Sequence, residues 1–314
     1  MSNAGNKLAS KLSSASLLLY SLLLPATTAF ATNILFIGNS FTFAAGTPIM
    51  NYRSTTVTDL NNNNTGGVPA LFKSFTAQSG LDYDVSLETN PGVGIDWHLD
   101  HAMDKIGKQR WDTVVLQSYS TLDADHPGDP TKLVRSVQRM AEEVKAKNPK
   151  VDVRLVSTWS RADQTYEKTG HWYGKPIDAM ANDIKTGYDK AAAGTPIVKG
   201  VIPVGEAWNR AIRTGIADAN PYDGIDAGKI NLWNTDHYHA SVYGYYLEAL
   251  TIFGSVTGRD PRSLGEKECA AADLGIAPAQ AAALQRVAFD QLSAAGAAMV
   301  SSPSAKPFNC ATLN

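Results

Sequence analysis

The sequence predicts an α/β fold, a three-layer α/β/α sandwich with a five-stranded parallel sheet. Three observations predict it. Five short apolar runs alternate with longer amphipathic stretches containing Ala and Lys, the pattern of strands joined by crossover helices on both faces of a sheet. The chain is long enough to bury one sizeable core of about 280 residues. It contains no internal repeat and no flexible linker between domains.

The elements follow in order. Asn33–Ile37 is the first strand, stopping at Gly38, with Asn39 and Ser40 next. A polar, turn-rich loop, Asn61–Gly67, leads into a helix over Val68–Gln78. Strand Tyr83–Leu87, helix Ile95–Lys108, strand Asp112–Leu116 and helix Pro130–Lys147 continue the alternation. Strand Val151–Ser157 precedes an irregular excursion, Arg161–Gly174, then helix Pro176–Ala193 and strand Ile197–Val204. The remainder reads as helix Glu206–Gly215, an irregular stretch Pro221–Trp233, and helices Ser241–Gly254 and Pro278–Val300. The tail after Ser301, rich in Ser and Pro, is expected to have no regular structure.

Residues 1–31 read as a secretory signal peptide, and residues 32–314 as a single domain. Lys7 and Lys11 form a positive start, "ASLLLYSLLLPA" is an apolar core too short to span a bilayer, and Ala29–Ala31 is a small-residue cleavage site. An uncleaved anchor is the competing reading. Removing the two lysines from the 28 basic residues leaves 26 against 30 acidic ones. That balance gives no electrostatic case for nucleic acid, and no Lys/Arg cluster suggests an anionic membrane surface. No later segment is apolar enough for membrane insertion. In an oxidising compartment, secreted or periplasmic, Cys269 and Cys310 read as one disulfide holding the tail, with two unpaired thiols as the alternative.

The chemistry gathers beyond the carboxyl ends of strands in such sheets, where Ser40 stands. Gly and Ser after a strand are also ordinary turn chemistry, so Ser40 needs partners. A serine hydroxyl becomes a nucleophile when a base takes its proton and a third group orients that base. "NTDHYHASVYGYYLEAL" supplies both: Asp236 precedes His239 by three residues, and Ser241 is placed to cap a helix beginning near Val242. The offset lets the carboxylate fold back on Nδ1–H and leaves Nε2 free for Ser40. His237 and His239 with Asp236 also invite a metal reading, but no HExxH or paired-Cys motif supplies the further ligand. Oxyanion donors have two sources. Gly94 in "NPGVGIDWHL" can bring its N–H close to a substrate oxygen, and Gln117 ends the third strand with a side-chain amide.

On these blocks the chain resembles the SGNH (GDSL-type) hydrolases, whose flavodoxin-like fold is a five-stranded parallel sheet between helices. "FIGNSF" is similar to the first block, with Asn39 in place of the usual Asp, and "NPGVG" to the second. "DHYH" with Ser241 and Gly244 is similar to the fifth. The third block departs: G-x-N-D is missing from "VVLQSYS", and Gln117 looks like the glutamine of some carbohydrate-esterase branches. The resemblance implies a catalytic set of Ser40, Asp236 and His239. It implies an oxyanion hole from the Ser40 and Gly94 N–H groups and Gln117, no metal and no organic cofactor. The expected substrate is a small-molecule or glycan ester, with short acyl groups on carbohydrate favoured. Asn39, Trp97, Trp159 and Trp233 are candidate substrate contacts, the tryptophans through stacking on a sugar ring; core packing is their bland alternative, favoured for Trp208. A non-catalytic glycan-binding or surface module on a degenerate version of the fold is the competing function.

Overall fold

A computed structural model of the chain describes residues 1–2, 31–300 and 308–313. Contacts separate Met1–Phe30 from Ala31–Asn314. The expected export segment, residues 1–31, lies almost wholly outside the described residues. Among the described residues no helix is long and apolar enough to cross a membrane.

Six strands form one parallel sheet: β1 (Thr32–Gly38), β2 (Thr58–Asp59), β3 (Tyr83–Thr89), β4 (Thr113–Leu116), β5 (Asp152–Ser157) and β6 (Val198–Pro203), in the order β2-β3-β1-β4-β5-β6. The five expected strands are present. The sixth, β2, is a two-residue edge strand on Ser86 and Leu87 of β3, too short to leave an apolar pattern in the sequence.

The helices are α1 (Gly67–Gln78), α2 (Ile95–His101), α3 (Met103–Ile106), α4 (Thr131–Lys147), α5 (Ala162–Tyr166), α6 (Asp178–Ala193), α7 (Val204–Arg213), α8 (Val242–Thr257), α9 (Cys269–Asp273) and α10 (Pro278–Ala294). The single helix expected over Ile95–Lys108 is two, broken where Ala102 leaves helical geometry at φ −127°. Val204, read as the end of a strand, opens α7 instead. A short helix, α5, interrupts the Arg161–Gly174 excursion, and a 3₁₀ turn, Cys310–Leu313, gives part of the tail regular structure. Residues 301–307 of that tail lie outside the described residues.

The central strands β1 and β4 are apolar without alternation because both their faces are buried. On one face Ile34, Phe36, Val115 and Val156 pack with residues of α1, α7, α8 and α10; on the other Leu35, Ile37, Val114 and Leu155 pack with α2, α4 and α6. The register sets Gly38 level with Thr89 and Ile37 level with Leu116. Strand β1 therefore ends between the ends of β3 and β4, and the segments that follow all three leave the sheet at one place.

Candidate active site

The loop after β1 is a tight knot. Asn39 carbonyl accepts from the N–H of Thr42 (2.9 Å) and Phe43 (3.1 Å), and Ser40 carbonyl from that of Ala45 (3.0 Å). Gly38 permits this closure: a Cβ there would stand 2.1 Å from Thr42 Oγ1 and 2.8 Å from Gln117 Oε1. Ser40 is 7% exposed and its Oγ has no hydrogen-bond partner among the described residues.

Asn39 is a brace. Its Nδ2 donates to the carbonyls of Val93 (2.9 Å) and Ser118 (3.2 Å), and its Oδ1 accepts from Phe41 N–H (3.1 Å). The expected substrate contact at Asn39 is corrected accordingly: the buried amide ties the loop of Ser40 to the segments after β3 and β4. A carboxylate there could not donate to either carbonyl.

The candidate base, His239, is set by the loop before α8. Trp233 and Ala240 pair as an antiparallel bridge around it, and Ser241 Oγ caps α8 by accepting from the N–H of Tyr243 (3.2 Å) and Gly244 (3.3 Å). Asp236 Oδ1 accepts from the N–H of Tyr238 (3.0 Å) and His239 (2.9 Å), while Oδ2 lies 2.6 Å from His239 Nδ1. His239 Nε2 is buried and has no partner among the described residues. With the proton held at Nδ1 by the carboxylate, Nε2 is left as an acceptor. Burial pushes the Asp236 carboxyl up, but the bonds from the His239 ring and the two N–H groups outweigh it and hold the group below the ordinary carboxylate range.

Two contacts join this loop and α8 to the Ser40 segment. The Phe41 ring, next in sequence to Ser40, lies 5.6 Å from the His239 ring, and Tyr245 Oη on α8 donates to Ser40 carbonyl at 3.3 Å.

Gly94 precedes α2 and faces the ring of Tyr119, which a Cβ on Gly94 would approach to 2.3 Å. Burial and the charge of Asp96 push the Tyr119 hydroxyl up, against the Gly94 N–H, which favours the phenolate. Gln117 braces the loop that carries Ser40. Its Oε1 accepts from Asn39 N–H (3.0 Å) and Thr42 Oγ1 (3.1 Å), and its Nε2 is turned to Ser118 carbonyl. The oxygen of this buried amide is spent inside the protein, while Nε2, which carries two hydrogens, makes one bond, to Ser118 carbonyl.

The tryptophan expectation is corrected at two positions. Trp159 and Trp233 are 0% and 1% exposed. Trp159 stacks between Trp208 (4.6 Å) and Phe41 (4.4 Å), and Trp233 Nε1 donates to Ser160 carbonyl (2.9 Å). They fill the space between α7, α8 and the strand ends, with no free face for a sugar. Trp97 is partly buried and stacks on His101 at 4.7 Å.

Several neighbours carry no signal in the sequence. The buried pair Glu88–His98 joins a β3 carboxylate to His98 Nδ1, and His98 Nε2 bonds Gly38 carbonyl at 3.0 Å. Arg161 lays its guanidinium 3.6 Å from the Tyr238 ring, bonded to Asp163 and Ser120. The residues of each set meet only through the fold. His237 packs its ring at a tilt against Tyr222 rather than joining Asp236 and His239, and no group of three or more His, Cys, Asp or Glu among the described residues is arranged to hold a metal.

Neither a family model nor a curated protein matches the chain. Solved structures do. A DUF4886 family protein from Bacteroides uniformis is 18% identical, over 86% of this chain and 98% of that one, with a TM-score of 0.54. A candidate GDSL-like lipase from Parabacteroides merdae is 15% identical, over 72% and 95%, with a TM-score of 0.52. At these identities the likeness establishes the fold, the α/β/α sandwich of GDSL-type proteins, and leaves the chemistry to the residues of the site.

Proposed function

We propose that the chain is an exported serine esterase of the SGNH type, hydrolysing short acyl esters, acetyl foremost, on carbohydrate. The observation that carries this reading is the pairing of Asp236 with His239 Nδ1 at 2.6 Å while Nε2 stays buried and unpaired beside the loop of Ser40. The barely exposed nucleophile favours a small acyl group. The N-terminal sequence and the Cys269–Cys310 bond support export.

In this mechanism His239 Nε2 takes the Ser40 proton as Oγ attacks the ester carbon, and Asp236 stabilises the imidazolium. The Ser40 N–H receives the oxyanion, joined by the Gly94 N–H once the Tyr119 hydroxyl gives it up. The imidazolium returns the proton to the leaving alkoxide, and the acyl group stays on Ser40. Water then attacks with His239 again as base, releasing the acid and restoring the serine.

Purified protein and its Ser40→Ala and His239→Ala variants, assayed on p-nitrophenyl acetate, test the reading. Loss in both variants of about 10³-fold or more in kcat is expected. Equal turnover by wild type and Ser40→Ala would leave the glycan-binding module instead.

A further inference from the structure

With Trp159 and Trp233 in the core, a sugar-stacking role passes to another ring. Tyr222 is 41% exposed and belongs to the irregular stretch between α7 and the catalytic loop. Its ring centroid is 4.0 Å from that of His237, the residue between Asp236 and Tyr238. His237 adopts φ +55°, a left-handed conformation that a non-glycine residue rarely holds without a reason. Its carbonyl accepts from the N–H of Ala162 (3.0 Å) and Asp163 (3.2 Å).

Tyr222 is fixed in place. Its hydroxyl donates to Glu167 at 2.7 Å, its N–H to Asn220 Oδ1 at 3.1 Å, and the Tyr166 ring lies 6.0 Å away. The loop beneath is closed by the buried Asp218, which accepts from the N–H of Asn220 (3.0 Å) and Asp226 (2.9 Å). An ordinary solvent loop needs neither an immobilised exposed ring nor a buried carboxylate at its base. A ring already held in position loses little entropy when it stacks on a ligand.

We propose that Tyr222, flanked by His237, which lies two residues before the catalytic His239, is the stacking platform for a neutral sugar ring of the ester-bearing substrate. The inference rests on the esterase reading for the catalytic site it adjoins. Charge selects the ligand. Glu167 accepts from the Tyr222 hydroxyl and Asp223 is the next residue in the chain, while Arg161 and Lys229 are already paired with Asp163 (2.5 Å) and Asp226 (2.6 Å). An anionic glycan would meet uncompensated carboxylates; a neutral one finds hydrogen-bond acceptors for its hydroxyls beside an aromatic face.

Calorimetric titration of the Ser40→Ala protein, which needs no turnover, tests the platform. Cellohexaose, xylohexaose, mannohexaose and chitohexaose are the neutral probes and hexagalacturonate the anionic one. At least one neutral probe should bind. Adding Tyr222→Ala should weaken it by about fivefold or more, while Tyr222→Trp should retain it. Tyr173→Ala, an exposed tyrosine outside the platform, should leave binding unchanged. In the Ser40-containing protein, Tyr222→Ala should lower the ratio of kcat/KM on cellobiose octaacetate to that on p-nitrophenyl acetate by a similar factor. Binding by no neutral probe, indifference to Tyr222→Ala, or equally tight hexagalacturonate would overturn the platform. Absence of hydrolysis with Tyr222-dependent binding intact would overturn the esterase reading alone.

Discussion

Asp236 Oδ2 lies 2.6 Å from His239 Nδ1, with the imidazole 15% and the carboxylate 45% exposed. The carboxylate stands at the solvent edge and the working nitrogen faces inward. Because the folded protein holds Asp236 below the ordinary carboxylate range, its charge persists throughout neutral and mildly acidic pH. The stability it contributes is present above the unfolded carboxyl pKa of about 3.9 and is lost as pH falls through the lowered folded value. A loss of activity in the range where Asp236 stays charged is therefore not the titration of Asp236. Asp236→Asn is expected to cost about 10³–10⁴ in kcat, the consequence of losing both charge and tautomer control. A pH profile of kcat/KM for both proteins checks this, and a variant within threefold of wild type would sink the orienting role.

The Glu88–His98 pair gives a second prediction. Both side chains are buried, and the imidazole reaches the carbonyl two residues before Ser40. His98→Ala strands the Glu88 carboxyl in the core, which typically costs about 3–5 kcal/mol. Replacing both residues by Leu should recover part of that loss, since the cost lies in the unpaired group rather than in the pair itself. Urea unfolding of wild type, both single variants and the double variant measures it. Additive losses would mean that the two residues act independently.

What the sequence made legible follows from how local each signal is. The strand at Asn33–Ile37 is readable because burial on both faces leaves an unbroken apolar run. The start of α8 is readable because Ser241 caps it through bonds spanning two and three residues, and Asp236 and His239 meet within one turn. Gln117 and Asn39 meet across 78 positions, and which end of an amide is already occupied cannot be read from a strand end. Tryptophans at strand ends are equally silent: Trp159 and Trp208 find each other only once β5 and α7 are packed. Tyr222 and His237 likewise become neighbours only when the loop closes on Asp218.

A third prediction concerns the tail. Cys269 and Cys310 are bonded across 41 positions, and Arg53 anchors the same region through Asp273 (2.7 Å) and Cys310 carbonyl (3.3 Å). Reduction is expected to destabilise the protein by about 2–4 kcal/mol. The kcat of the folded fraction should hold, because none of the bonds among Ser40, Asp236 and His239 passes through this bridge. Thiol alkylation with and without reductant, followed by melting and assay of each sample, checks both parts. Two reactive thiols before reduction would contradict the bond.

Gln117 supplies the sharpest test, because the two roles open to it leave different traces. As an oxyanion donor its loss would fall on kcat by about 10²–10³, with KM little changed. The structure instead commits Oε1 to Asn39 N–H and Thr42 Oγ1 and turns Nε2 to Ser118 carbonyl. Gln117→Ala would leave those buried groups unsatisfied, at about 1–3 kcal/mol each where water cannot reach them. The expected result is a clear fall in melting temperature with kcat per titrated active site reduced less than about tenfold, the remainder reflecting a looser Ser40 loop. Gln117→Glu sharpens the reading: its carboxylate can still accept from Asn39 and Thr42 but cannot donate to Ser118 carbonyl. Buried with one oxygen against that carbonyl, the charge should cost at least as much stability as Gln117→Ala. A kcat loss of 10²-fold or more in a variant that melts like wild type would restore Gln117 to the oxyanion hole and require its amide to turn when substrate binds.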